Sequence, residues 1–116
     1  MPSRFWGEMT TLDFRGLDPE KTVALLPIGA IEQHGPHLPV GTDAFICDAI
    51  VDEALARLDP AAPVLRLPTQ RLGHSPEHAR FPGTLSLRAE TMLAHWTDIG
   101  RSVAAKTSAN TPWPRS

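Results

Sequence analysis

An α/β fold with parallel strands is the class this sequence predicts, and three observations predict it. Val23-Ala24-Leu25-Leu26-Pro27-Ile28 is a short, unbroken apolar run that stops at Gly29. Such a run fits a strand covered on both faces, as in a parallel sheet. Val64-Leu65-Arg66-Leu67 is a second run of this kind. Between them, residues 43–58 carry apolar side chains at spacings of three and four, the period of a helix. Strand, helix, strand is the βαβ unit, whose crossover is right-handed in nearly every case and leaves the strands parallel.

The elements follow in chain order. Residues 1–21 mix Phe5, Trp6, Met9 and Phe14 with polar residues, which predicts a short helical turn near Thr10–Phe14 packed over the domain. In the first strand, Pro27 cannot donate to a ladder and should sit near the strand's end. In the helix over 43–58, Cys47, Ile50, Val51, Ala54, Leu55 and Leu58 form the expected buried stripe, with Asp48, Asp52, Glu53 and Arg57 opposite. Glu53 and Arg57 make an i,i+4 ion pair worth about 0.3 kcal/mol, and Asp59-Pro60 ends the helix. Residues 68–83 read as a polar loop rich in proline and histidine. A second helix is expected over 87–103, with Ser86 as N-cap and a stripe of Ala89, Met92, Leu93, Trp96, Ile99 and Val103. Gly100 weakens it. After Val103 neither period survives, and no third buried strand follows. The expected organisation is one domain over 1–103 with an unfinished sheet, then an irregular tail over 104–116.

Composition narrows the function classes. With 116 residues the chain has room for one domain. A formal net charge of −2 supplies no basic field for nucleic acid and no polybasic anchor for a membrane surface. The single cysteine, Cys47, excludes an internal disulfide and fits a reducing compartment. It falls in a helical apolar pattern and reads as a packed thiol. The start has no basic-then-apolar leader pattern, and no run of about 18 apolar residues exists. The expected location is the cytoplasm. A G-x-S-x-G elbow, a Walker loop and a G-x-G-x-x-G turn are all absent.

The densest chemistry lies directly after the first strand, in Gly29-Ala30-Ile31-Glu32-Gln33-His34-Gly35-Pro36-His37-Leu38-Pro39-Val40-Gly41-Thr42-Asp43. Ligands in open α/β sheets bind beyond the carboxyl ends of the strands. Glu32 and His34 are two apart, so in extended backbone they project to one side. A turn built from Gly35, Pro36, Pro39 and Gly41 can bring Asp43 back to them. Carboxylate and imidazole donors suit Zn²⁺ or Mn²⁺, and an aspartate can bridge two metals. Asp43, or Thr42 before it, equally suits a helix N-cap. His37 reads as an outer or surface histidine. A second cluster, Gly73-His74-Ser75-Pro76-Glu77-His78-Ala79-Arg80-Phe81-Pro82-Gly83-Thr84, begins at the same edge of the sheet. His74 and His78 there could bind substrate or metal, or belong to a solvated loop.

Leu26 to Asp43 as a block closely resembles the signature of the creatininase (creatinine amidohydrolase) family. Gly73-His74-Ser75-Pro76-Glu77-His78 and Phe81-Pro82-Gly83-Thr84-Leu85-Ser86-Leu87 resemble its second block, and the likeness runs from about Arg4 to about Val103. The resemblance implies a three-layer α/β/α fold with a mainly parallel sheet. It implies a binuclear Zn²⁺ or Mn²⁺ site and hydrolysis of C–N bonds in small, often cyclic, amides such as creatinine. It also implies homo-oligomers, commonly hexamers. By position, Glu32, His34 and Asp43 resemble three of the family's metal ligands, with Asp43 bridging, and Ser75 lies where the family's loop approaches substrate. Family members continue into an Asn-Gly-His strand end and later segments that supply the remaining ligands and the proton-transfer group. This sequence contains none of these, so no catalytic acid or base is assigned within it. A non-catalytic interaction module and a mononuclear metal-binding protein are the alternatives to an enzyme.

Overall fold

The computed structural model describes residues 1–106. At its centre, β1 (Val23–Leu25) and β2 (Val64–Arg66) pair in parallel, with Val23 opposite Val64, Ala24 opposite Leu65 and Leu25 opposite Arg66. The first apolar run is thus a shorter strand than its six residues suggest. Pro27 has no N–H and interrupts the ladder. Its carbonyl still accepts from Gln70 N at 2.9 Å, and Gly29 N donates to Gln70 O at 2.8 Å. The two chains therefore stay side by side beyond the formal strands, up to the bridge between Ile28 and Gln70.

The other edge of β2 is covered by the N-terminal segment, which shows no strand period in the sequence. Arg66 N donates to Arg4 O at 2.7 Å, and Phe5 forms a parallel bridge with Arg66. The Arg4 guanidinium donates to the carbonyls of Ala62, Val64 and Asp59. After this comes α1 (Thr11–Arg15), the predicted turn. Thr10 caps it: Asp13 N donates to Thr10 Oγ1, and Thr10 N donates to the Asp13 carboxylate at 2.8 Å, a reciprocal capping box. The rings of Trp6 and Phe14 stack against each other at 4.5 Å, which fastens the segment to the helix.

The crossover helix α2 spans Thr42–Ala56. Its buried side is the predicted one only in part: Cys47, Val51 and Leu55 are half-buried. Ile50, Ala54 and Leu58 are exposed, and Asp48, expected on the water side, faces inward with Ala44, Val51 and Leu55. Two contacts explain the rotation. A Cβ on Gly29 would lie 2.9 Å from Ala44 Cα, so only the smallest residues meet there. Arg66, 5% exposed on β2, needs carboxylates, and Asp48 and Asp52 supply them. The Glu53–Arg57 pair forms as expected, at 2.9 Å.

Helix α3 spans Ala89–Lys106, starting two residues later than the periodicity predicts and running three residues past Val103. Ser86 is not its N-cap. The Ser86 hydroxyl accepts from Ser75 N at 2.8 Å, and Ser86 bridges to Gly73, so it belongs to the loop layer instead. Met92, Trp96, Ile99 and Val103 are half-buried, as the stripe predicts, but Leu93 is exposed. The predicted irregular tail otherwise lies outside the described residues. Among these, the buried apolar core is small: Met9, Ala44, Leu65 and Leu67. Phe45, Ile46 and Ile50 of α2 stand in solvent. No helix among the described residues is long and apolar enough to cross a membrane.

Candidate metal centre

Beyond β1 the chain turns back on itself within twelve residues. Gly35 takes a φ of +78°, which favours glycine. His34 and Leu38 then form an antiparallel bridge, and Glu32 N donates to Val40 O at 3.0 Å. The returned chain enters α2 directly. Thr42 Oγ1 donates to Pro39 O, and Gly41 occupies the N-cap with no side-chain cap bond. Neither Thr42 nor Asp43 therefore caps the helix. The Asp43 carboxylate is left to project from the first turn, where the N-terminal helix dipole favours an anion.

The structure brings Glu32, His34 and Asp43 together. One donor atom from each lies within 4.8 Å of the other two. His34 Nδ1 lies 3.1 Å from the Glu32 carbonyl oxygen, which can only accept. Nδ1 therefore carries the proton, and Nε2 of the neutral ring presents a lone pair. That lone pair faces Asp43 Oδ1 at 3.2 Å. Two acceptors at this distance need a proton or a cation between them. The His34 pKa is accordingly raised: the Glu32 carbonyl contributes most, burial opposes, and the Asp43 and Glu32 carboxylates add to it. The donor set and the tautomer both fit a divalent cation such as Zn²⁺ or Mn²⁺.

A second segment closes over the first. Leu85 N donates to Ile31 O at 2.9 Å, and Gln33 N donates to Thr84 Oγ1 at 3.0 Å. Gly83 makes the bend before it, with φ +90°. Gly73 packs so closely that a Cβ there would lie 3.0 Å from Gly29 O. Ser75 is 2% exposed and its N–H donates to Ser86 Oγ, so its side chain is packed within the loop layer. Pro76–His78 makes one 3₁₀ turn, which carries His78 to Glu32. His78 Nε2 stands 3.6 Å from Glu32 Oε2 and 3.8 Å from Glu77 Oε1. Glu32, Glu77 and His78 form a second group with metal-binding spacing, and Glu32 is common to both. His37 stays exposed, and His74 is engaged with Leu87 O at 2.8 Å, so neither joins the cluster. Glu77 was not a candidate from the sequence. Its signal is slight: a carboxylate next to a histidine, with no partner in sight until the loops fold together.

The family model described as "Creatininase: Creatinine amidohydrolase" matches residues 7–109. The chain is 36% identical over 104 residues to the mycofactocin precursor peptide peptidase of Mycobacterium tuberculosis (strain CDC 1551 / Oshkosh), covering 84% of this chain and 41% of that protein. It is 30% identical over 108 residues to the creatinine amidohydrolase of Pseudomonas putida, covering 88% of this chain and 40% of that one. Among solved structures, a mutant creatininase of "Zn-Zn type" superposes with a TM-score of 0.78 at 29% identity, over 93% of this chain and 43% of the other. A manganese creatininase gives 0.77 at 29% identity, over 91% and 42%. The chain thus spans about two fifths of the length of the relatives it matches.

Proposed function

The chain belongs to the creatininase family, and from that premise we propose that Glu32, His34 and Asp43 hold a divalent metal, Zn²⁺ or Mn²⁺, for hydrolysis of an amide C–N bond. The observation that carries this reading is the convergence of the three donors, with His34 Nε2 3.2 Å from the Asp43 carboxylate. A bound cation of this kind lowers the pKa of coordinated water and polarises a carbonyl oxygen. The chain's own residues do the rest. The Glu32 carbonyl fixes the imidazole tautomer. Asp43, at the head of α2, has two oxygens and can serve two metal positions, the binuclear arrangement implied by the resemblance. By the resemblance, Ser75 and the Gly73–Thr84 loop would lie on the side from which substrate approaches.

The substrate class is a small amide. One relative is named for creatinine and another for a precursor peptide, and each name points to an amide C–N bond. Association into homo-oligomers belongs to the same proposal, supported by the apolar side chains left in solvent on α2. A second reading is a metal-binding module without turnover. It is favoured by one observation: Glu32, His34 and Asp43 come together as a three-donor group, which is enough to hold a single cation.

The test is the metal content of this chain after equilibration with Zn²⁺ or Mn²⁺ and dialysis, beside Asp43→Ala. The expected result is about one or more ions per chain in the wild type and a loss in the variant. Equal content in both would remove Asp43 from the site. Tight binding with no hydrolysis of creatinine or peptide amides would select the second reading.

A further inference from the structure

His78 lies beside the centre, and its role follows from a chain of hydrogen bonds that begins at a backbone amide. Gly35 N can only donate, and it lies 3.0 Å from a Gln33 side-chain atom. That atom must be the amide oxygen, Oε1. The Gln33 amide nitrogen is then the atom 2.8 Å from His78 Nδ1. An amide nitrogen donates, so Nδ1 must accept. A neutral His78 therefore carries its proton on Nε2, which stands 3.6 Å from Glu32 Oε2 and 3.8 Å from Glu77 Oε1. His34, two residues from Glu32, has the opposite tautomer, with Nδ1 protonated and Nε2 open.

We propose that His78 is a positioning residue for Glu32: through its Nε2–H, and with its tautomer set by Gly35 through Gln33, it holds the Glu32 carboxylate as an oriented anion. This rests on the reading of Glu32 as a metal ligand. It distinguishes the two histidines that flank Glu32. His34 offers a lone pair and binds the cation; His78 offers a proton and cannot bind one through Nε2 while Gln33 occupies its Nδ1. The group of Glu32, Glu77 and His78 is therefore not a second cation position of its own. Of the two acceptors near Nε2, Glu32 is the closer and the more buried, at 16% side-chain exposure against 66% for Glu77. The attraction of the Nε2–H for the less hydrated carboxylate is the stronger, because water screens it less. Ligating carboxylates commonly depend on such outer partners for their direction.

Two measurements test this. The first is ¹⁵N–¹H correlation spectroscopy of the imidazoles in the metal-free protein, about two pH units above the ordinary histidine pKa of about 6.5. The expected result is Nε2–H for His78 and Nδ1–H for His34. In Gln33→Glu a carboxylate faces Nδ1, and the His78 proton should move to that nitrogen. An Nδ1–H tautomer for His78 in the wild type overturns the proposal. The second is titration with Co²⁺, read by its visible absorption. His78→Ala is expected to weaken binding by about 10- to 100-fold, with His78→Gln, which restores an N–H donor, recovering part of the loss. Unchanged affinity in His78→Ala overturns the positioning role. A wild type that binds no Co²⁺ while showing the two tautomers overturns the metal reading instead, so the two failures are distinct.

Discussion

Gly29→Ala is the smallest change that should reach both the fold and the centre. The added Cβ would lie 2.9 Å from Ala44 Cα and 3.2 Å from both Ala44 Cβ and Ala44 N. Carbon atoms rest at about 3.5–4.0 Å, so the deficit is roughly 0.6–1 Å. The obstacle is backbone and cannot rotate away; the first turn of α2 must retreat. Gly29 does not use a positive φ, so the effect is steric and not conformational. Overpacking of this kind costs about 1–3 kcal/mol. For a domain of this size each kcal/mol moves the melting temperature by about 4–8 °C, which gives a fall of roughly 5–20 °C. The retreat also carries Asp43, the residue before Ala44, away from His34 Nε2. Metal sites tolerate about 0.2 Å of error in ligand distance, so Zn²⁺ affinity should fall with the melting temperature. The assay is calorimetry with and without Zn²⁺. Gly7→Ala, where an added Cβ meets nothing within 4 Å, is the control. A Gly29→Ala protein that melts within about 1 °C of wild type, with Zn²⁺ affinity intact, would refute the reasoning.

Three further outcomes are expected. Gly100 lies inside α3 in open space, so Gly100→Ala should raise stability by about 0.5–1 kcal/mol in a denaturant titration; a loss would show that the helix is not formed there in solution. The Asp48 pKa is lowered, chiefly by the Thr69 hydroxyl at 2.5 Å and then by Arg71 at 2.6 Å, against a contrary push from burial. A group depressed on folding contributes stability above its unfolded value, near 3.8, and loses it as pH falls through the folded one. The melting-temperature gap between wild type and Asp48→Asn should thus be full at neutral pH and close only in acid below about 4; a gap that widens in acid contradicts this. On α2, Ile46 and Ile50 are one turn apart and 53% and 62% exposed. Ile50→Lys should shift sedimentation toward the monomer and change stability by less than about 0.5 kcal/mol, and unaltered association would clear this face.

Much of the fold can be read from local sequence because its signals are local. The parallel pairing of Val23–Leu25 with Val64–Arg66 follows from two apolar runs around a helix. Glu32 and His34 meet because they are two apart in extended backbone, and the glycines and prolines of 35–41 return Asp43 to them. What escaped the sequence depends on partners distant along the chain. Periodicity put Asp48 in water because it counts apolar residues, but a buried arginine on β2 outweighs an isoleucine in choosing the helix's inner face. Ser86 has the right chemistry for an N-cap, yet its hydroxyl goes to Ser75 N, eleven residues back. The strand-like role of Arg4 and Phe5 shows only in the backbone bond from Arg66. His78 and Glu77 needed the loop to close before their nearness to Glu32 could be known.

The candidate centre also bears on how this small core holds together. Its three donors come from one stretch of twelve residues, so their approach costs little loop-closure entropy. Within that stretch Gln33 bonds to distant chain, its N–H to Thr84 Oγ1 and its side-chain amide to His78 Nδ1, and just before it Leu85 N donates to Ile31 O and Gly29 N to Gln70 O. Helix α2 leans on the sheet through Ala44 and the Arg66 carboxylates rather than through a broad apolar face. A cation shared by Glu32, His34 and Asp43 would pin the first turn of α2 to the segment leaving β1, beside the contact of Ala44 with Gly29. Ligand present at a hundred times its dissociation constant adds about 2.7 kcal/mol to folding. Against four buried apolar side chains, that is a large share of what keeps α2 in place. The residues arranged for chemistry are, on this argument, also a structural joint, and changes at Gly29 or Asp43 should therefore never separate cleanly into effects on stability and effects on the site.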